Sequence, residues 1–165
     1  MKAVEIVLAV LLLLVTLNST YFFLVVRHVK PIEWLVFNAC APANFAFLVG
    51  FIVYLIFKDR TLLHAALLPL FFFGGLGLFL FPWSGYNLIA QFSHVIMTLN
   101  IAVTLYTTFR TGDFKAATLG LFLGILIFAP FIGFQQNYTN SHKDAMGRIL
   151  GVDPDNFQNK WNAGQ

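Results

Sequence analysis

Tyr86–Phe109, YNLIAQFSHVIMTLNIAVTLYTTF, is 24 residues long, and His94 lies near its middle. At about 1.5 Å per residue such a helix crosses a hydrocarbon core of about 30 Å. A strand is excluded, because a continuous apolar run of this length does not alternate. Asn87, Gln91, His94 and Thr98 recur at i, i+4, i+7 and i+11 and share one helical face. A polar stripe is costly against lipid, so this one should face protein, water or a cofactor. The rest of the chain is read as a bundle built around that stripe.

Composition agrees. Of 165 residues, 59% are hydrophobic and only 10% charged, against about a quarter charged in an ordinary soluble domain. Five segments are long and apolar enough to span a bilayer, at 4–26, 31–57, 61–82, 86–109 and 116–135. The expected fold is all-α: a polytopic membrane helix bundle of five transmembrane helices in residues 1–136, then a short polar C-terminal tail in 137–165. The connections RHVK, KDR, PWSGY and RTGDFK are short, which predicts that consecutive spans are antiparallel neighbours. The apolar run Val4–Val26 exceeds the length of a signal-peptide core, about 7–15 residues, and is read as a retained span. Lys2, Lys58, Arg60, Arg110 and Lys115 fall on the N-terminal side, against Arg27, Lys30, Lys143 and Arg148 on the other. Five basic residues against four place the N-terminus on the cytoplasmic side. A net charge of +3, scattered along the chain, excludes a nucleic-acid partner. Cys40 is the single cysteine, which excludes an internal disulfide and any multi-cysteine metal site.

Prolines and glycines mark the irregular places. Pro31 suits a first helical turn, and Pro42 should kink the second span. Gly74, Gly75 and Gly77 follow Pro69 and three phenylalanines, and would admit a neighbouring helix or a flat ligand. Ala116, Gly120 and Gly124 repeat every four residues and favour close helix packing, within the chain or, together with the polar tail, against other membrane subunits. Gln135, Gln136 and Asn137 mark the exit of the last span. In the tail, Ser141 and Asp144 should open a short helix that Gly151 closes. Asp153-Pro154 begins a second turn, with Phe157 and Trp161 on one face. His64 is expected to reach toward headgroups beside Arg60.

Three polar residues lie at one depth. Asn18 is eight residues from the end of its span, Cys40 nine and His94 eight residues into theirs. All three are counted from the same membrane face, about 12 Å below it. A thiol, an imidazole and an amide at one level can serve as nucleophile, base and orienting group, with His94 taking the proton of Cys40. Asn38, Asn44, Asn87 and Gln91 are the other candidate pocket-lining polar groups. His94 also fits a second role, ligation of haem or chlorophyll metal, with the Gly74-Gly75 notch receiving the macrocycle. A proton-coupled carrier is disfavoured, since no acidic or basic residue lies centrally in any span.

Asn38-Ala39-Cys40, the Phe-Gly-Gly of 73–75, Gln91-Phe92-Ser93-His94 and Asn137-Tyr138 resemble the spaced landmarks of YwaF-like bacterial integral membrane proteins. That group is similar to eukaryotic transmembrane phospholipid acyltransferases with an intramembrane Cys and His. The resemblance covers about residues 35–140 and implies that Cys40 carries an acyl group and His94 activates it. The chain departs from the pattern in being short and in having Ala41-Pro42 after the cysteine. Two functions are therefore expected. The first is an accessory or structural subunit of a larger membrane complex, in contact with lipid or pigment. The second is a lipid-acting acyltransferase using Cys40 and His94.

Overall fold

The computed structural model describes residues 2–80, 83 and 87–151. Among the described residues every regular element is helical. Helix α1, Lys2–Tyr21, runs on through a π-helical turn, Phe22–Val26. Next come α2, Pro31–Phe37, and α3, Cys40–Phe57. The third span is built from α4, Thr61–Ala65; α5, Leu67–Leu70; a second π-helical turn, Phe71–Gly75; and α6, Gly77–Leu80. Helices α7, Asn87–Thr111; α8, Phe114–Ser141; and α9, Lys143–Leu150, complete the chain. Five stretches are long and apolar enough to cross a membrane. The all-α membrane-helix bundle expected from the sequence is therefore the observed fold. The second tail turn, with Asp153, Phe157 and Trp161, lies outside the described residues, as does Tyr86.

Proline chemistry sets the breaks. Pro42 has no N–H, and its ring collides with the carbonyl four residues back, which belongs to Asn38. The helix accordingly stops at Phe37, with Asn38 at φ −117° and ψ 44°. The Ala41 N–H then closes onto the Asn38 carbonyl at 2.9 Å. The expected mid-span kink is thus a break ahead of the proline, and it makes Cys40 the first residue of α3. Pro69 acts the same way one span later. The carbonyl four residues back is that of Ala65, where α4 ends.

That carbonyl explains how the last span docks. A Cβ added at Gly124 would sit 2.6 Å from the Ala65 oxygen, and one at Gly120 would sit 2.5 Å from the Thr61 oxygen and from His64 Cβ. On the other side of α4, a Cβ at Gly50 would lie 2.8 Å from the Leu62 oxygen. Helix α4 is therefore gripped between α3 and α8 by three glycines. The third span is the most enclosed, with 50% of its apolar window buried against 39% for the fourth. The bundle is built around Thr61–Leu80 rather than around the α7 stripe. Helices α7 and α8 meet only near their connection, because the glycine face of α8 is committed to α4 and α5. Tight connection does not make them neighbours along their length.

The end of the bundle carrying Lys58 and Arg110 holds a buried polar network. Arg60 Nη2 lies 3.3 Å from Glu5 Oε1, both side chains being 9% exposed. It also donates to the Tyr54 hydroxyl at 2.9 Å. Thr107 Oγ1 is 2.9 Å from the same Glu5 oxygen. His64 is turned inward, against expectation. Its Nδ1–H donates to the Arg60 carbonyl at 2.8 Å, and its Nε2 pairs with Thr108 Oγ1 at 2.7 Å. Burial without those partners would be costlier than reaching for headgroups; with them, the imidazole stays inside. At the surface of this end, Asp59 accepts the Thr61 N–H at 2.7 Å, and that bond holds its carboxyl below the usual range.

At the opposite end, α8 continues through Gln135 to Ser141 instead of ending at the polar run. Gln135 Nε2 donates to the Val36 carbonyl at 3.2 Å. Ser141 Oγ donates back to the Asn137 carbonyl at 2.9 Å, so it finishes α8 rather than opening α9. Met146 of α9 is buried against Val36 and Phe37, with Tyr138 packed alongside. Gly151, at φ 66°, follows α9 in the left-handed conformation that glycine adopts without strain.

Two predictions follow from this packing. Gly124→Leu should prevent α8 from seating on Ala65, costing well over the ~1–3 kcal/mol of ordinary overpacking; a thermal melt in detergent that matches wild type would refute the contact. Glu5→Ala should cost about 3–5 kcal/mol by leaving Arg60 buried without its carboxylate. Glu5→Met with Arg60→Met should recover much of that loss in a double-mutant cycle.

Candidate thiol-imidazole site

The break at Asn38 and Ala39 sets Cys40 at the start of α3, on the face turned into the bundle. The half-buried Cys40 Sγ lies 3.4 Å from His94 Nε2. It also lies 3.3 Å from the Phe73 carbonyl, in the π-helical turn of the third span. One S–H thus faces two acceptors. Shared depth is matched here by shared direction.

The state of His94 follows from its neighbours. Gln91 precedes it by three residues on α7, so the two side chains are adjacent on one face. Gln91 Nε2 is 3.3 Å from the Leu78 carbonyl, which can only accept. That fixes the amide with Oε1 toward the imidazole, 3.1 Å from Nδ1. Since Oε1 also only accepts, Nδ1 carries the proton. Nε2 is left with its lone pair directed at sulfur. Gln91 is 0% and His94 3% exposed. With Cys40 they have the geometry in which a thiol, a base and an orienting group can act together. The ring is seated by Gly77, where an added Cβ would fall 2.7 Å from His94 Cε1. Thr98, the next member of the stripe, spends its hydroxyl on the His94 carbonyl at 2.8 Å.

The remaining candidates separate. Asn18 is exposed on the outer side of α1 and does not reach the site. The inward line of that helix is Leu12, Thr16 and Ser19, and residue 18 lies about 100° from its neighbour Ser19. Ser19 takes the contact instead, receiving Asn38 Nδ2 at 2.9 Å. Asn44 is 2% exposed, one turn after Cys40 on α3. The side chain of Asn87 lies outside the described residues. The Gly74-Gly75 notch is filled from within: an added Cβ at Gly74 would be 2.6 Å from Met97 Cε, and one at Gly75 would be 2.9 Å from the Phe71 ring. A macrocycle there would have to expel both side chains. A metal on His94 would have to displace Cys40 or Gln91. Among the described residues, no group of three metal-ligating side chains occurs.

Phe73 and Gly77 were not among the site residues expected from sequence. Gly77 carried a signal, its spacing of three from Gly74. The Phe73 carbonyl carried none, because a backbone oxygen becomes a partner only through the local turn.

Comparison with known protein families, curated proteins and solved structures finds no match to the chain. Gln91→Leu should free Nδ1 of its acceptor and let the imidazole rotate or change tautomer. Alkylation of Cys40 by a membrane-permeant maleimide should slow by about tenfold or more, with Gln91→Glu restoring it. An unchanged rate in the leucine variant would remove Gln91 from the arrangement.

Proposed function

We propose that this chain is an intramembrane thiol enzyme that moves an acyl group between membrane lipids through Cys40. The observation that carries this reading is the 3.4 Å approach of Cys40 Sγ to the unprotonated Nε2 of His94, with Gln91 holding the tautomer. The outer surface of the bundle is lined by exposed Leu, Ile, Val and Phe side chains. Reactants that reach the thiol are accordingly those already dissolved in a bilayer, and an acyl ester is the lipid bond a thiol can exchange.

The steps balance without an oxidant. Sulfur attacks the acyl carbon as its proton passes to His94 Nε2, so no free thiolate persists in a low-dielectric interior. The tetrahedral intermediate collapses, the ester C–O bond breaks, and His94 returns the proton to the departing alcohol. Cys40 is left as a thioester. A second lipid hydroxyl then gives its proton to Nε2 and attacks the thioester carbon. The C–S bond breaks and the proton returns to sulfur. The orientation expected from the basic residues would place this thiol nearer the non-cytoplasmic leaflet.

The accessory-subunit reading draws on the scarcity of charge inside the spans and on the tail as well as on Ala116, Gly120 and Gly124. Gly120 and Gly124 are buried against α4 of this same chain, which removes these two from a surface for other subunits.

In lipid nanodiscs, phosphatidylcholine with an alkyne-tagged acyl chain should leave a hydroxylamine-labile adduct on Cys40. Cys40→Ala should abolish it, and His94→Ala should slow it by roughly 10²–10⁴-fold. Labelling that persists in Cys40→Ala would refute the reading.

A further inference from the structure

We infer that Asn44 supplies the amide that binds the acyl carbonyl oxygen of the substrate and stabilises the oxyanion formed when Cys40 attacks. The inference rests on the acyl-transfer reading and adds a substrate-contacting group to it. It begins from an unsatisfied group. Asn44 is 2% exposed, and its Oδ1 is fully buried with no hydrogen-bond partner. No hydrogen bond from its Nδ2 occurs among the described residues either.

A buried amide without partners is expensive, most of all where water is scarce. Thr20 Oγ1, Trp34 Nε1 and Arg60 Nη1 are also buried without a partner, but the other buried asparagines are bonded. Asn100 donates to the Ile96 and Leu8 carbonyls, and Asn38 donates to Ser19. Asn44, buried to the same degree, has no such bond. An orphaned polar group of this kind calls for a counter-group that arrives from outside the chain.

Its position says which. At 100° per residue, Asn44, Phe47 and Phe51 fall within about 40° of Cys40 around α3. These residues form the centre line of the buried face. Asn44 is therefore the polar side chain one turn from the nucleophile, turned into the same interior. Side chains four apart on a helix have Cβ atoms about 5–6 Å apart. That distance lets an acyl carbon rest near sulfur while its oxygen meets the amide. Rotation about χ2 exchanges the two ends of the amide and presents Nδ2 as donor. Once turned, the donor is held by α3 beside the thiol, and its bond strengthens as charge forms on the acyl oxygen. The unpaired amide of the resting state is then strain held at a site, relieved as substrate binds.

The experiment uses the full chain in nanodiscs with the alkyne-tagged phosphatidylcholine. In Asn44→Ala and Asn44→Leu the rate of Cys40 acylation should fall about 100-fold, with its dependence on lipid concentration unchanged. Asn44→Leu should melt at or above the wild-type temperature, because it removes an unpaired amide without removing a bond. A structural role would give the reverse, lower stability with altered lipid dependence. Wild-type acylation rates in folded variants, or a lowered melting temperature in both, would overturn the inference alone. A wild-type protein that forms no Cys40 adduct would overturn the acyl-transfer reading and this inference with it.

Discussion

Pro42 and Pro69 each remove one backbone donor from a helix that has no water to replace it, and the architecture follows from where the deprived carbonyls go. The collision at Asn38 ends α2 and starts α3 at Cys40. The break at Ala65 leaves its carbonyl packed against Gly124, where an added Cβ would lie 2.6 Å from the oxygen. In a bilayer no hydrophobic gain separates helix from lipid, so close packing at small residues has to supply the association. Glycines at 50, 120 and 124 are placed where that packing occurs, against the helix that Pro69 interrupts. The same interrupted span continues into the π-helical turn that presents the Phe73 carbonyl to Cys40. Packing and site share one origin.

Polar side chains are handled in two ways. Hydroxyls mostly return to their own helix: Thr16 to Leu12, Thr98 to His94, Thr104 to Asn100, Thr111 to Thr107. Such bonds cost no neighbour and explain why α7 can carry so many threonines. The larger groups need tertiary partners and gather at two levels. One is Glu5, Arg60 and Tyr54 with Thr107; the other is Cys40, His94 and Gln91. The first is an ion pair whose charges cancel, with Arg60 Nη1 left unpartnered. The second sets a thiol beside an imidazole lone pair, with the unpartnered Oδ1 of Asn44 one turn further along α3.

Much was legible in the residues. Twenty-residue apolar runs, proline positions and a fixed rise per residue determined five spans, the irregular second and third, and the common depth of Cys40 and His94. Depth is a sum along the axis, and small errors in it matter little. Direction is an angle of 100° per residue, and it is reset at every break. That is why Asn18, at the right depth, lies outside the site, while Ser19 beside it faces in. It is also why Gln91 could be placed on the face of His94, three residues away on an unbroken helix, before any partner was known.

Which polar group meets which is settled by the packing of helices far apart in the chain. Sequence could not show that Met97 fills the Gly74 notch, that Arg60 reaches back to Glu5 across 55 residues, or that Gly120 and Gly124 face α4 of the same chain. Helix propensity and apolar length act locally and are written in consecutive residues. Pairing inside a bundle depends on the azimuth of each helix, and that is fixed by the close contacts of small residues and by polar groups that find no water. Apolar length and proline positions are read along the chain; only the packing of α3, α7 and the third span brings the thiol within 3.4 Å of the imidazole.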